Sequence, residues 1–220
     1  MRGVFPEVVF TVMNVPVRDT VISTWFTMLL ILTMVFVVRR RWRGALGILV
    51  SWLLENVSAI MGERADPYVS LLGTLAVFIG VANAIGAVPI VVSPTHDINT
   101  TAALALIVFF SVHYLGVKQK GLLGYLKGLA TPLFTLPLEL IGQLSRTLSL
   151  ALRLFGNVLS TEMVVAVIFS LLPLIVPVPL IAFGIFTGVL QAYIFTVLAA
   201  VYIAAAVAGN EPVKTKKKKG

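Results

Sequence analysis

Thr20–Val38 runs for 19 residues without a charged side chain and is then closed by Arg39, Arg40, Arg41 and Arg43. A helix needs about 20 residues to cross the hydrocarbon core of a bilayer, where every backbone N–H and C=O must be satisfied within the structure. A chain that repeats this feature is confined to a bundle of membrane-spanning helices. It does repeat: Tyr68–Ser93 gives 26 uncharged residues, and Ala102–Val117 is apolar up to Lys118 and Lys120. The composition points the same way, with 59% hydrophobic and only 12% charged residues in 220. The expected fold class is an all-α integral membrane protein with about five spans and no separate aqueous domain.

Between the first two spans, Ala45–Met61 mixes apolar and small polar residues with Trp52 and Glu55. It reads as an amphipathic helix on the membrane surface. The second span breaks at Pro89 and Pro94, and a polar loop follows, Pro94–Thr101. A helical pattern then runs over 133–172, interrupted only by Glu139, Arg146, Arg153 and Glu162. Forty residues exceed a perpendicular crossing, so this helix must be tilted or kinked. Pro173, Pro177 and Pro179 form a turn, a last helix covers 180–208, and 209–220 is a basic tail. With these two long helices as a tilted hairpin, the chain is one membrane domain. Residues 1–19 form an outer N-terminal segment whose four charges and lack of a long apolar core argue against a cleavable signal peptide.

Basic residues set the orientation. With the N-terminus outside and five crossings, Arg39–Arg41, Arg43, Arg64, Lys118, Lys120, Lys127 and the five tail lysines are cytoplasmic, thirteen in all. Only Arg2 and Arg18 lie outside, a decisive positive-inside bias. The formal charge of +8 therefore reads as topology and headgroup contact, not nucleic-acid binding. Without cysteine there are no disulfides or thiolate metal sites, and no metal or cofactor motif is present. No phosphate-binding Gly-x-x-x-x-Gly-Lys-Ser/Thr loop occurs, so phosphoryl transfer does not belong to this chain.

Arg153 lies in Leu-Ala-Leu-Arg-Leu-Phe-Gly-Asn, at membrane depth. A guanidinium there costs at least ~2.5 kcal/mol on the most lenient scale, and it cannot escape by losing its proton. Ser149, Arg153 and Asn157, spaced by four, share one helical stripe. Glu139, 14 residues earlier, returns to within about 40° of that face but about 21 Å away. Glu162, nine residues later, points to the opposite side, roughly 13 Å along. Arg153 thus has no adjacent counter-ion on its own helix. The last helix offers Gln191 and Tyr202, and Asp97 stands near the outer aqueous entrance. His96 reads as a solvated loop histidine, His113 as structural, and Arg146 as a headgroup-contacting side chain.

At Pro94–Thr101, Leu148–Glu162 and Gln191–Tyr202 the chain resembles subunit a of the F-type ATP synthases, in its bacterial and plastid branches. The resemblance covers residues 20–208. It implies a non-catalytic stator subunit of the membrane sector, working against a c-ring, docked to the subunit b stalk and only indirectly linked to the F1 sector. The membrane implied is the bacterial inner membrane, or a plastid thylakoid. Arg153 would stand between two ion half-channels and act on the c-ring carboxylate, whose pKa a nearby cation lowers by ~1–3 units. Glu162, Gln191 and Asp97 would belong to the outer route, Glu139 with Ser149 to the inner one, and Asn157 and Gln191 would position the arginine. Tyr202 completes the set. Many family members carry a histidine seven residues before the glutamine; here that position is Gly184, so in a proton wire water would replace the imidazole. A stand-alone channel or secondary transporter is the alternative, although the internal repeats common in such proteins are not evident.

Overall fold

The computed structural model describes residues 8–12, 15–41, 43–62, 65–86, 92–129, 136–171 and 177–208. Parts of the N-terminal segment, the Pro89 break, the Pro173 turn and the basic tail lie outside the described residues.

The N-terminal segment, expected only as an outer extension, contains an antiparallel hairpin. Strand β1 (Val8–Val12) pairs with β2 (Val15–Arg18), with a register irregularity between Val8 and Phe10. Valine-rich sequence suits a pleated backbone, because β-branched side chains restrict χ1 at little cost there.

Helix α1 (Asp19–Arg41) opens with Asp19 and ends on three arginines, each sign favourable to the helix dipole at its end. The buried residues of α1 lie toward its N-terminal end: Thr20, Ser23 and Thr27 are buried, while Leu32 and Phe36 face outward. Helix α2 (Arg43–Met61) is the shorter apolar helix between spans. Helix α3 (Asp66–Ile85) starts with a proline at its first turn, which needs no N–H there. It stops at Ile85, short of the uncharged run's end.

A 3-10 turn (Pro94–His96) leads into α4 (Ile98–Lys120). This helix begins earlier than the apolar run, because the Asp97 side chain caps it by accepting from the Asn99 backbone N–H. Gly121, at φ 73°, ends it and turns the chain into α5 (Leu122–Leu129) within the basic connection. Helices α6 (Leu136–Leu171) and α7 (Pro177–Val207) form the long hairpin. At 36 residues α6 is about 54 Å long, well beyond the ~30 Å hydrocarbon thickness.

Five of these helices (α1, α3, α4, α6 and α7) are long and apolar enough to cross a membrane. One cluster unites four of them: Leu72, Leu75 and Ile79 of α3, Leu104 and Val108 of α4, Leu150 and Leu154 of α6, Phe195, Ala199 and Ile203 of α7. Helix α3 packs most extensively on α7, and α4 on α6. Burial is uneven. In the spanning window of α6 only 11% of residues are buried, against 39% in α3 and α7. There Ile141, Leu144, Leu148, Leu152 and Val167 present a long open apolar face.

Candidate functional site

Three polar groups are set along the α6–α7 hairpin. The first group is organised by Asp97. Its Oδ1 accepts from the backbone N–H and the side-chain amide of Asn99, each at 2.9 Å. Its Oδ2 accepts from the Thr20 hydroxyl at 3.0 Å and from Arg18 at 3.3 Å. Burial alone would raise the Asp97 pKa. The Asn99 N–H, the Thr20 hydroxyl and Arg18 outweigh it and hold the carboxyl below its ordinary value. All four bonds stabilise the ionised form, so Asp97 ties the outer loop to α1.

Next to this anchor, the His96 ring is buried, with 5% of its side chain exposed, and its Nδ1 lies 2.5 Å from Glu162 Oε2. The solvated loop histidine expected from sequence is therefore corrected: the turn Pro94–His96 inserts it against α6. Buried hydroxyls fix that turn. Ser93 donates to the Ala82 carbonyl at 2.9 Å, and Thr95 donates to Asn83 Oδ1 at 2.7 Å. Asn83 in turn donates to the Gly188 carbonyl at 2.9 Å, linking α3, the outer loop and α7. Gly184 shows why no larger side chain stands there. A Cβ at that position would lie 2.6 Å from Thr161 Cγ2. The imidazole next to Glu162 comes from the turn before α4.

The middle group surrounds Arg153. Leu150, Ala151, Leu154 and Val158 turn into the core, and Ser149 and Arg153 are exposed on the neighbouring face. Among the described residues, Arg153 has neither a hydrogen bond nor an ion pair. Asn157, one turn on, reaches α7 by donating to the Thr187 carbonyl at 3.4 Å. Gln191 is 5% exposed and its Nε2 has no hydrogen-bond partner among the described residues. Among the described residues neither amide hydrogen-bonds to the guanidinium.

The third group pairs Glu139 with Arg146 at 3.8 Å, and Gln143 donates to the same carboxylate at 3.4 Å. Arg146 also sits 5.8 Å from the Tyr202 ring centroid, a cation–π contact joining α6 to α7. Arg146, expected to contact headgroups, makes this pairing within the chain and is still 48% exposed. Among the described residues the side-chain partners of Glu139 are Gln143 and Arg146, not Ser149. Tyr125 of α5 is buried nearby; burial and the Glu139 charge raise its pKa. His113 bonds to the Phe109 carbonyl at 2.8 Å and packs on that residue's ring, a structural setting.

An unpaired intramembrane cation, flanked by a polar cluster at each end of a helical hairpin, suits the passage of ions past a partner. Comparison with known proteins decides the family: residues 21–204 match the ATP synthase A chain. The chain belongs to that family. It is 46% identical over 207 residues to an ATP synthase subunit a of a Bradyrhizobium species, covering 90% of this chain and 92% of the relative. Identity to a Picosynechococcus subunit a is 39% over 218 residues, covering 94% and 92%. For the Legionella pneumophila subunit a it is 33% over 223 residues, covering 96% and 95%. Membership makes the chain a multi-pass membrane protein and a non-catalytic subunit of its complex.

Proposed function

We propose that this chain is the ion-conducting stator of a bacterial rotary ATP synthase, with Arg153 turned toward the carboxylates of a passing c-ring. The observation that carries the reading is the exposure of Arg153 on α6 with no partner among the described residues. A permanent charge in lipid is tolerated only when something compensates it. A carboxylate on a neighbouring rotor does so intermittently, and loses its ion as the guanidinium lowers its pKa by ~1–3 units. The open apolar face of α6 is the surface that a c-ring would cover.

Glu162, with Asp97 as anchor of its surroundings, lies on the outer route; Glu139 lies on the inner one, close to Arg146 and Tyr202. Asn157 and the buried Gln191 offer amides beside the arginine's path, and Ser149 extends its stripe. The subunit b stalk docks on the cytoplasmic side, and the F1 sector is reached through it. The basic-residue count puts the N-terminus outside the inner membrane and the C-terminus in the cytoplasm.

Arg153→Ala tests this reading. In sealed inverted vesicles it abolishes ATP-driven ion pumping and ATP synthesis while the complex still assembles. Removing 1–3 units of pKa depression slows ion release by about 10- to 1000-fold. Wild-type coupled pumping by this variant refutes the assignment.

A further inference from the structure

Many family members carry an imidazole on the last helix, and this chain has Gly184 there, closed off by Thr161. Yet Glu162 is in contact with an imidazole, that of His96, 66 residues earlier in the chain. We propose that His96 is a working proton-transfer residue of the outer route, supplying from the outer loop the ring that α7 lacks; this rests on the stator reading above.

Three observations support it. First, the contact is between Nδ1 and a carboxylate oxygen, the atoms between which a proton can pass. Second, the ring is buried while Glu162 stays partly open, with 29% of its side chain exposed, so the carboxylate connects the ring to the space beside α6. Third, the ring is held by purpose-built surroundings: Thr95 locked on Asn83 just before it, and Asp97 locked on Thr20 and Arg18 just after it. Four bonds satisfy Asp97, which makes it a fixed charge rather than a relay. The titratable and charged groups around His96 are thus Glu162 from α6, Asp97 beside it in the chain, and Arg18 at the end of β2, paired with Asp97.

The step balances simply. Imidazolium at His96 gives its proton from Nδ1 to Glu162 Oε2, leaving a neutral ring and a neutral carboxylic acid. The acid then releases that proton toward the rotor, and the ring takes up another from the outer side. Histidine is suited to this because its ordinary pKa near 6.5 lets it load and unload near neutral pH. A sodium ion could not follow this path while the ring is protonated, so the proposal assigns protons to the outer route.

The test uses the complete synthase in inverted vesicles, with ATP-driven acidification followed by a pH-sensitive dye between about pH 5.5 and 8. His96→Gln keeps a polar side chain but cannot carry the proton. Pumping is expected to fall at least about tenfold, with loss of the limb that titrates near the imidazole range. Glu162→Gln should remove the same limb, and the double variant should be no slower than the worse single one. Wild-type pumping and an unchanged pH profile in His96→Gln, or fully additive losses, overturn the proposal. If the His96 variant does not assemble, the profile of Glu162→Gln decides, because a retained imidazole limb also overturns it. A further variant moves the ring: in His96→Ala/Thr161→Ala/Gly184→His the α7 position is opened, since Thr161 Cβ lies 4.0 Å from the added Cβ. Recovered pumping there supports the relay. Arg153→Ala separates the two readings: if it pumps normally the stator reading fails, and if it is inactive while His96→Gln is normal, only the relay fails.

Discussion

The α3–α7 seam gives a sharp test of how tightly the site is built, through two glycines that face it. A Cβ added at Gly188 would lie 2.8 Å from Asn83 Cβ, whereas one added at Gly80 would lie 3.7 Å from Ala192 Cβ. Carbon atoms prefer 3.5–4.0 Å, so Gly188→Ala must push the helices apart by about 0.7 Å. That displacement would stretch the 2.9 Å bond from Asn83 to the Gly188 carbonyl to about 3.6 Å, beyond hydrogen-bond range. Overpacking costs about 1–3 kcal/mol, and a lost interhelical hydrogen bond in a membrane averages about 0.6 and reaches about 1.7. Alanine's better helix propensity returns about 0.8–1 kcal/mol. The net expectation is a destabilisation of about 1–4 kcal/mol for Gly188→Ala, against a change of less than about 1 kcal/mol, or a gain, for Gly80→Ala. Unfolding of the purified subunit in mixed detergent–dodecyl sulfate micelles measures both. Because Asn83 also holds Thr95, Gly188→Ala should further reduce pumping by loosening the turn that carries His96. Equal stability for the two variants would refute the reasoning.

The Asp97 anchor should respond to acid and to loss of its donors. Its folded pKa is depressed, so its stabilisation is fully present above the ordinary carboxylate value of 3.8 and is lost as pH falls through the lower folded value. Protection of the amides in α1's first turns, corrected for the intrinsic exchange rate at each pH, should therefore be unchanged at pH 5 and fall only below about 4, and Asp97→Asn should remove that acid dependence. Thr20→Val, which deletes a buried hydroxyl donor to a carboxylate, should cost about 1.5–3 kcal/mol in the same unfolding assay. Arg18→Leu should cost less than about 1 kcal/mol, because that arginine is 41% exposed. At the inner side, a Cβ on Gly116 would lie 2.5 Å from the Tyr125 ring. Gly116→Ala should destabilise the subunit by about 1–3 kcal/mol, and Tyr125→Leu should restore most of the loss.

The spans are readable because lipid imposes one rule on every residue of a crossing: uncharged runs of about 20 residues have few other uses. The isolation of Arg153 is readable for a different reason. Positions of near neighbours on a helix follow from spacing, so the absence of an adjacent counter-ion can be counted off. The same arithmetic permits the Arg146–Glu139 pair, two turns apart on one face, but it does not choose between that carboxylate and a lipid headgroup. His96 on Glu162 is another matter, since no periodicity connects a loop to a helix 66 residues on. Its trace in the sequence is indirect: a missing ring at Gly184 and an unexplained ring beside Asp97. The hairpin at Val8–Arg18 is hidden because a short valine-rich run among charges carries no membrane signal of its own.

The pairing pattern explains why the residues along the hairpin cannot exchange roles. Glu139 has Arg146 and Glu162 has His96, each within the chain, whereas Asp97, held by four bonds, is a fixed charge. A carboxylate beside a cation or an imidazole can take an ion and give it back, since its partner steadies the charge between visits. Arg153 cannot do this, because its proton does not leave. A resident counter-ion would neutralise it permanently and remove its hold on any carboxylate passing in the membrane. In the proposed function its isolation is therefore what makes it useful, and the stability it costs is the condition for acting on the rotor. In the stator function proposed above, the paired carboxylates serve as steps on each side and the arginine keeps those two sides from joining.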